Sequence, residues 1–121
     1  PRVWHVRATL DLAAMQAGAA LLVGEHDFGA FGQPPQGEST IRTVLRSGWT
    51  EEPPLLVYRI EANAFLKHMV RRIVGLLVMV GRGGMLVAEF ERIFRSAQLA
   101  KGVPLAPPQG LVLEQVKYLG E

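Results

Sequence analysis

The residues with the most chemical potential lie in one short run, Phe65-Leu66-Lys67-His68-Met69-Val70-Arg71-Arg72-Ile73-Val74-Gly75. On a helix, at about 100° per residue, Lys67, Arg71, His68 and Arg72 fall at about 0°, 40°, 100° and 140°, so they share one arc. Cations near a helix N-terminus oppose the positive end of the macrodipole by roughly 0.3–1 kcal/mol each. An arginine buried without a partner costs several kcal/mol more. From Ile73 to Val80 the chain is apolar on every side, which predicts a buried helix with Arg71 lying toward the buried stretch. That arrangement is sensible if an anion sits at this end, either a carboxylate from elsewhere in the protein or a phosphate. The plain alternative is that the cations reach outward into water along their aliphatic stems.

Other candidates are weaker. His26 and Asp27 are adjacent, and neighbouring side chains neither face each other on a helix nor share a face on a strand. Asp27 therefore reads as a turn or cap residue after Gly24, with Phe28 and Phe31 packed into the core. His5 and His68 have no third ligand nearby, and the chain has no cysteine, so neither a metal site nor a disulfide is expected. There is no nucleophile-elbow or phosphate-loop motif, and the Gly-Arg-Gly-Gly at 81–84 follows a helix instead of opening one. The only aspartates are Asp11 and Asp27, both with structural readings. These residues alone do not make an active site.

The elements that must position the basic run follow from local pattern. Asp11 is a plausible N-cap for a helix over Leu12–Val23, which Gly24 ends. Gly29 to Gly37 is a glycine- and proline-rich loop. Two strands follow, Thr40–Trp49 and Leu55–Ala62, separated by a breaker at Thr50–Pro54. In the first, Ile41, Val44 and Leu45 read as apolar against Arg42 and Arg46; in the second, Leu56, Tyr58 and Ile60 alternate with Val57, Arg59 and Glu61. A long helix is predicted over Phe65–Val80, with Gly81 and Gly83 where a terminating glycine belongs. A second helix is predicted over Val87–Leu99, with Phe90, Ile93, Phe94 and Ala97 as its apolar stripe and Glu91/Arg95 on its solvated side. Gly102–Gly110 is an extended connection, and Leu111–Leu119 closes the chain as a strand. The order implies an α+β fold: an antiparallel sheet with helices packed on one face.

Composition bounds the rest. At 121 residues and 49% hydrophobic content, the chain has the size and core of one domain. The longest apolar run is far short of the roughly 20 residues that span a bilayer, so no membrane role is expected and the cytoplasm is the default. Between Thr40 and Arg95 there are nine Lys/Arg against five acids, and arginine outnumbers lysine ten to three along the chain. That usage suits bidentate contacts to phosphate or carboxylate, although a general compositional bias gives the same ratio. The chain opens on Pro1 and enters a folded pattern almost at once, which reads as a fragment.

Three blocks together resemble the C-terminal half of TruA-type tRNA pseudouridine synthases: LLVGEHDFGAF (21–31) with TIRTV (40–44), FLKHMVRRIVGLLVMVGRG (65–83), and APPQGLVL (106–113). The resemblance extends over nearly the whole chain, and HMVR-x-IVG is its most specific part. It implies half of a pseudouridine synthase fold over residues 1–121, with the catalytic half not in this chain. It implies a reaction without cofactor or metal, in which uridines of the anticodon stem-loop become pseudouridine by cleavage at N1 and rejoining at C5. The family's essential aspartate lies in a Gly-Arg-Thr-Asp motif of the N-terminal half, which is absent here, so this chain alone is expected to be inactive. Arg71 matches the arginine that pairs with that aspartate, and Leu111 the apolar residue near the flipped base. Arg42, Lys67, His68 and Arg72 are the expected RNA contacts, Arg42 being equally able to support the fold. Arg72 stands where asparagine is usual, and Gly32 where a basic residue is common. The implied partners are tRNA, the N-terminal half and a second copy in a homodimer. Two rivals remain: a non-catalytic RNA-binding or dimerisation module of the same fold, and a metabolic α+β domain that binds a small anion.

Overall fold

The computed structural model describes residues 10–34 and 37–102 with their side chains, and the backbone of Leu111–Lys117. Helix α1 spans Leu12–Ala20, and the Asp11 carboxylate caps it by accepting the Ala14 N–H at 3.0 Å. It stops short of the predicted Val23 because the chain turns at Gly24 into a strand the sequence reading did not include, β1 at Gly24–Asp27. Four residues with one clear apolar neighbour carry too little alternation to be recognised as a strand. β1 pairs antiparallel with β2, Ile41–Glu52, which in turn pairs antiparallel with β3, Leu55–Ala62.

The inward face of β2 differs from the expected one. Ile41 and Leu45 are exposed, while Val44 and Trp49 are buried. Two residues five apart cannot share a face on a regular strand, where side chains repeat every second position. A bulge between Val44 and Arg46 supplies the extra residue, and Leu45 is the one it turns outward. On β3, Leu56, Tyr58, Ile60 and Ala62 enter the core and Arg59 and Glu61 face away, but Val57, expected with them on the polar side, is also buried. The Tyr58 hydroxyl shares a 2.6 Å hydrogen bond with Ser47, and burial pushes the phenol well above its ordinary range.

Helix α2 runs Met69–Gly81, and Gly83, with φ +83°, ends it in the left-handed conformation that glycine adopts freely. Helix α3 runs Val87–Ser96, and Glu89 accepts the Leu86 N–H at its start. It ends before the predicted Leu99 because Ala97 already takes a left-handed φ. α1 packs against β2, α2 and α3, and all three helices share one core with the inner side of the sheet. Phe31 stacks on Phe90 and Phe94 with ring centroids 5.8 and 5.7 Å away, and Phe28 meets Phe94 at 5.4 Å, tying the segment after β1 to α3.

The fold is α+β with helices on one face, as expected, but its sheet is mixed. The order is β1-β2-β3-β4, and β4, Leu111–Lys117, lies parallel to β3. The physical reason is the connection: two helices lie between β3 and β4, and a helical crossover returns the chain in the same direction. Tyr118 and Leu119, and the 103–110 connection, lie outside the described residues.

The outer side of the β2–β3 pair carries Arg59 bonded to Thr50 and Glu52, and an Arg46–Glu61 pair at 3.7 Å. Hydrogen bonds from Arg59 and then Thr50 hold the Glu52 carboxyl below the usual carboxylate range. A lowered folded-state value stabilises above the unfolded value, and that contribution is lost as pH falls through the lowered one. Glu52→Gln should therefore flatten the acid side of the stability–pH curve while changing neutral stability little, because the pair is exposed; urea titrations from pH 7 to pH 3 check this. Phe94→Ala should cost about 3–5 kcal/mol by the same denaturation assay.

Candidate functional site

The basic run does not form one helical arc. α2 begins at Met69, four residues later than predicted, because the Lys67 N–H donates to Gln33 O at 3.2 Å and His68 adopts a left-handed φ of 64°. Lys67 and His68 thus belong to the segment that enters the helix, and only Arg71 and Arg72 lie on it. A second expectation also fails: Arg71 is exposed, not buried, while Arg72 is half-buried. The late start places Arg71 on the solvent side of the first turn, opposite the buried Val70, Ile73 and Val74. Desolvation therefore does not force an anion onto Arg71 in this chain.

What the arrangement does provide is an open, electropositive helix end. The first turn of α2 has no acidic residue. Among the described residues, the side chains of Lys67, His68, Arg71 and Arg72 make no hydrogen bond and no ion pair. Several cations beside the positive end of a helix dipole favour a negatively charged partner there.

Three contacts hold this end in place. Gly32 approaches the entering segment so closely that a Cβ would stand 2.6 Å from Leu66 Cβ and 2.8 Å from Lys67 O. This explains why glycine occupies the position at which the resemblance led us to expect a basic residue. Gln33 and Lys67 form an isolated antiparallel bridge. Asn63, just beyond β3, donates its N–H to Thr43 O at 3.0 Å and accepts the Thr43 N–H on Oδ1 at 2.9 Å. Sequence reasoning missed Asn63; an asparagine directly after an alternating strand was the available signal.

The remaining candidates have structural partners. His26 Nε2 bonds Val23 O at 2.9 Å, and its ring meets Phe28 and Phe94 edge-on. Asp27 Oδ1 accepts from Gly29 N–H at 2.9 Å and from Thr40 Oγ1 at 2.6 Å, the turn role expected of it. Arg42 lies opposite His26; its Nη1 donates to Ser39 O and Ile41 O, so it supports the turn into β2, while its buried Nε has no partner. Among the described residues no three His, Cys, Asp or Glu gather as a metal site. Leu111 begins β4 opposite Leu56, at the end of β3 away from Ala62. The side chain of Leu111 lies outside the described residues.

Residues 19–119 match a family model described as tRNA pseudouridine synthase. A tRNA pseudouridine synthase A of Chloroflexus aurantiacus is 45% identical over 97% of this chain and 44% of its own length. Proteins of the same name from Bordetella parapertussis and Thermococcus kodakarensis are 39% and 41% identical, with 47% and 44% of their lengths covered. The chain thus spans under half the length of the curated relatives it matches. On the family match and these identities, the chain belongs to the tRNA pseudouridine synthase family.

Proposed function

We infer that this chain is the C-terminal half of a tRNA pseudouridine synthase acting on uridines of the anticodon stem-loop. The observation that carries the reading is the HMVR run, which lies inside the matched region and forms the open basic end of α2. The nucleophilic aspartate belongs to an N-terminal half. Arg71 pairs with that carboxylate, and its exposure supports the role, since a side chain that completes a site with another segment must be accessible. Both aspartates of this chain are already engaged, Asp11 at the α1 cap and Asp27 in its turn.

Lys67, His68 and Arg72 contact RNA phosphates or bases around this end. Arg42 braces the turn into β2, and contacts RNA by resemblance alone. Leu111 packs near the flipped uracil by resemblance alone. Extruding the base fits a reaction that cannot proceed inside a stacked helix. The active protein is a cytoplasmic homodimer that needs neither cofactor nor metal.

Tritium release from C5-labelled tRNA uridine tests the reading. In the full-length enzyme, Arg71→Ala should lower the rate at least about a hundredfold, the scale of losing one preorganised electrostatic contact. Glu91→Ala, on the solvated side of α3, should leave it within about twofold. The isolated 121 residues should show no release; activity there would overturn the assignment of the nucleophile to another segment. Full modification by the Arg71→Ala enzyme would favour the α+β domain that binds a small anion.

A further inference from the structure

We propose that Asp27 is a positioning residue for this site: it fixes the turn at residues 28–33, and through that turn it sets where α2 begins and where Arg71 stands. The proposal rests on the role given to Arg71 above. Asp27 itself touches no reacting group.

The chain of contacts is continuous. One carboxylate oxygen, Oδ1, takes the Gly29 N–H and the Thr40 hydroxyl, joining the end of β1 to the residue before β2. The backbone doubles this link, with Phe28 N–H donating to Thr40 O at 3.0 Å. Phe31 N–H closes the turn onto Phe28 O at 2.9 Å. From the other side the turn meets the end of α3. Ala100 N–H donates to Ala30 O at 2.8 Å, and a Cβ at Gly29 would stand 2.7 Å from Ala97 O. The turn is therefore held against both the sheet and α3, and its free end presents Gly32 and Gln33 to Leu66 and Lys67.

That free end decides the conformation of Lys67 and His68. The Lys67 N–H is claimed by Gln33 O, the next residue is left-handed, and the helix starts at Met69. Loss of the Asp27 hydrogen bonds would let residues 29–33 shift, and the shift would pass to the first turn of α2. Misplacing a catalytic group by about 1 Å can cost on the order of a hundredfold in rate. The RNA-facing cations Lys67 and Arg72 keep their charge, so tRNA affinity should change far less than turnover.

The test uses the full-length synthase with Asp27→Ala, Asp27→Asn, Thr40→Val and Arg71→Ala. Each is assayed by tritium release at a temperature where circular dichroism shows it folded. The expected result is a kcat lowered between about tenfold and a hundredfold in Asp27→Ala, and less in Thr40→Val, with KM for tRNA within about twofold of the parent. Asp27→Asn should restore kcat, because its amide oxygen can still accept both hydrogen bonds. A purely structural role would lower the melting temperature and leave kcat per folded molecule unchanged, and that result overturns the proposal. A rise in KM alone, or failure of asparagine to restore kcat, overturns it too. Should Asp27→Ala not fold, Thr40→Val decides: parental kcat there rejects the proposal. If Arg71→Ala is itself fully active, the functional reading fails; if it is crippled while Asp27→Ala keeps parental kcat, only the positioning role fails.

Discussion

A backbone N–H can serve one good acceptor at a time, and at Lys67 that acceptor is Gln33 O. Much follows from this single bond. Were residues 65–68 helical, as their pattern suggests, the four basic side chains would lie in one arc and Arg71 would sit a turn further from the helix end. The bond instead draws Lys67 into an extended bridge, leaves His68 in a left-handed conformation and starts the helix at Met69. The first turn then carries Arg71 on its open side. Gly32 makes the bond possible, since any side chain there would collide with Leu66 and with the Lys67 carbonyl.

The sequence made some features legible because their causes are local. The Asp11 cap, the alternation of β3, the glycine that ends α2 and the aromatic stripe of α3 each depend on residues within one or two turns of one another. What was not legible depends on distant partners. The bulge at Leu45 exists because Val44 and Trp49 must both reach a core built largely by other segments. The late start of α2 depends on a loop more than thirty residues upstream, and the parallel direction of β4 on the crossover as a whole. For the site, residue types singled out one basic run, and the wheel misjudged its geometry. The resemblance singled out Arg71, while the expectation that it would be buried fails, since it is exposed.

The cations of this chain divide by what they touch. Arg59, Arg46 and Arg95 are paired with carboxylates on exposed surfaces, where such pairs contribute little to stability and mainly fix local charge. Arg42 is bound to backbone carbonyls. The side chains around the start of α2 have neither kind of partner among the described residues, although the same sheet supplies Glu52 and Glu61 to other arginines. Among the described residues Arg82 and Arg92 are unpaired as well, so what sets the start of α2 apart is that its cations gather at a helix N-terminus, where an anion is favoured.

The parallel placement of β4 also bears on how the chain assembles. β2 returns into β3 through residues 53–54 and β1 into β2 through residues 28–40, so both pairings close smaller loops than the one between β3 and β4. Pairing Leu56 with Leu111 closes a loop that contains both α2 and α3. Loop-closure entropy and contact order both place such an event late. Until β4 arrives, β3 is an unpaired edge with a bare row of backbone donors and acceptors, the kind of surface that invites pairing with another chain. When β4 pairs, it takes over that edge position in the described sheet.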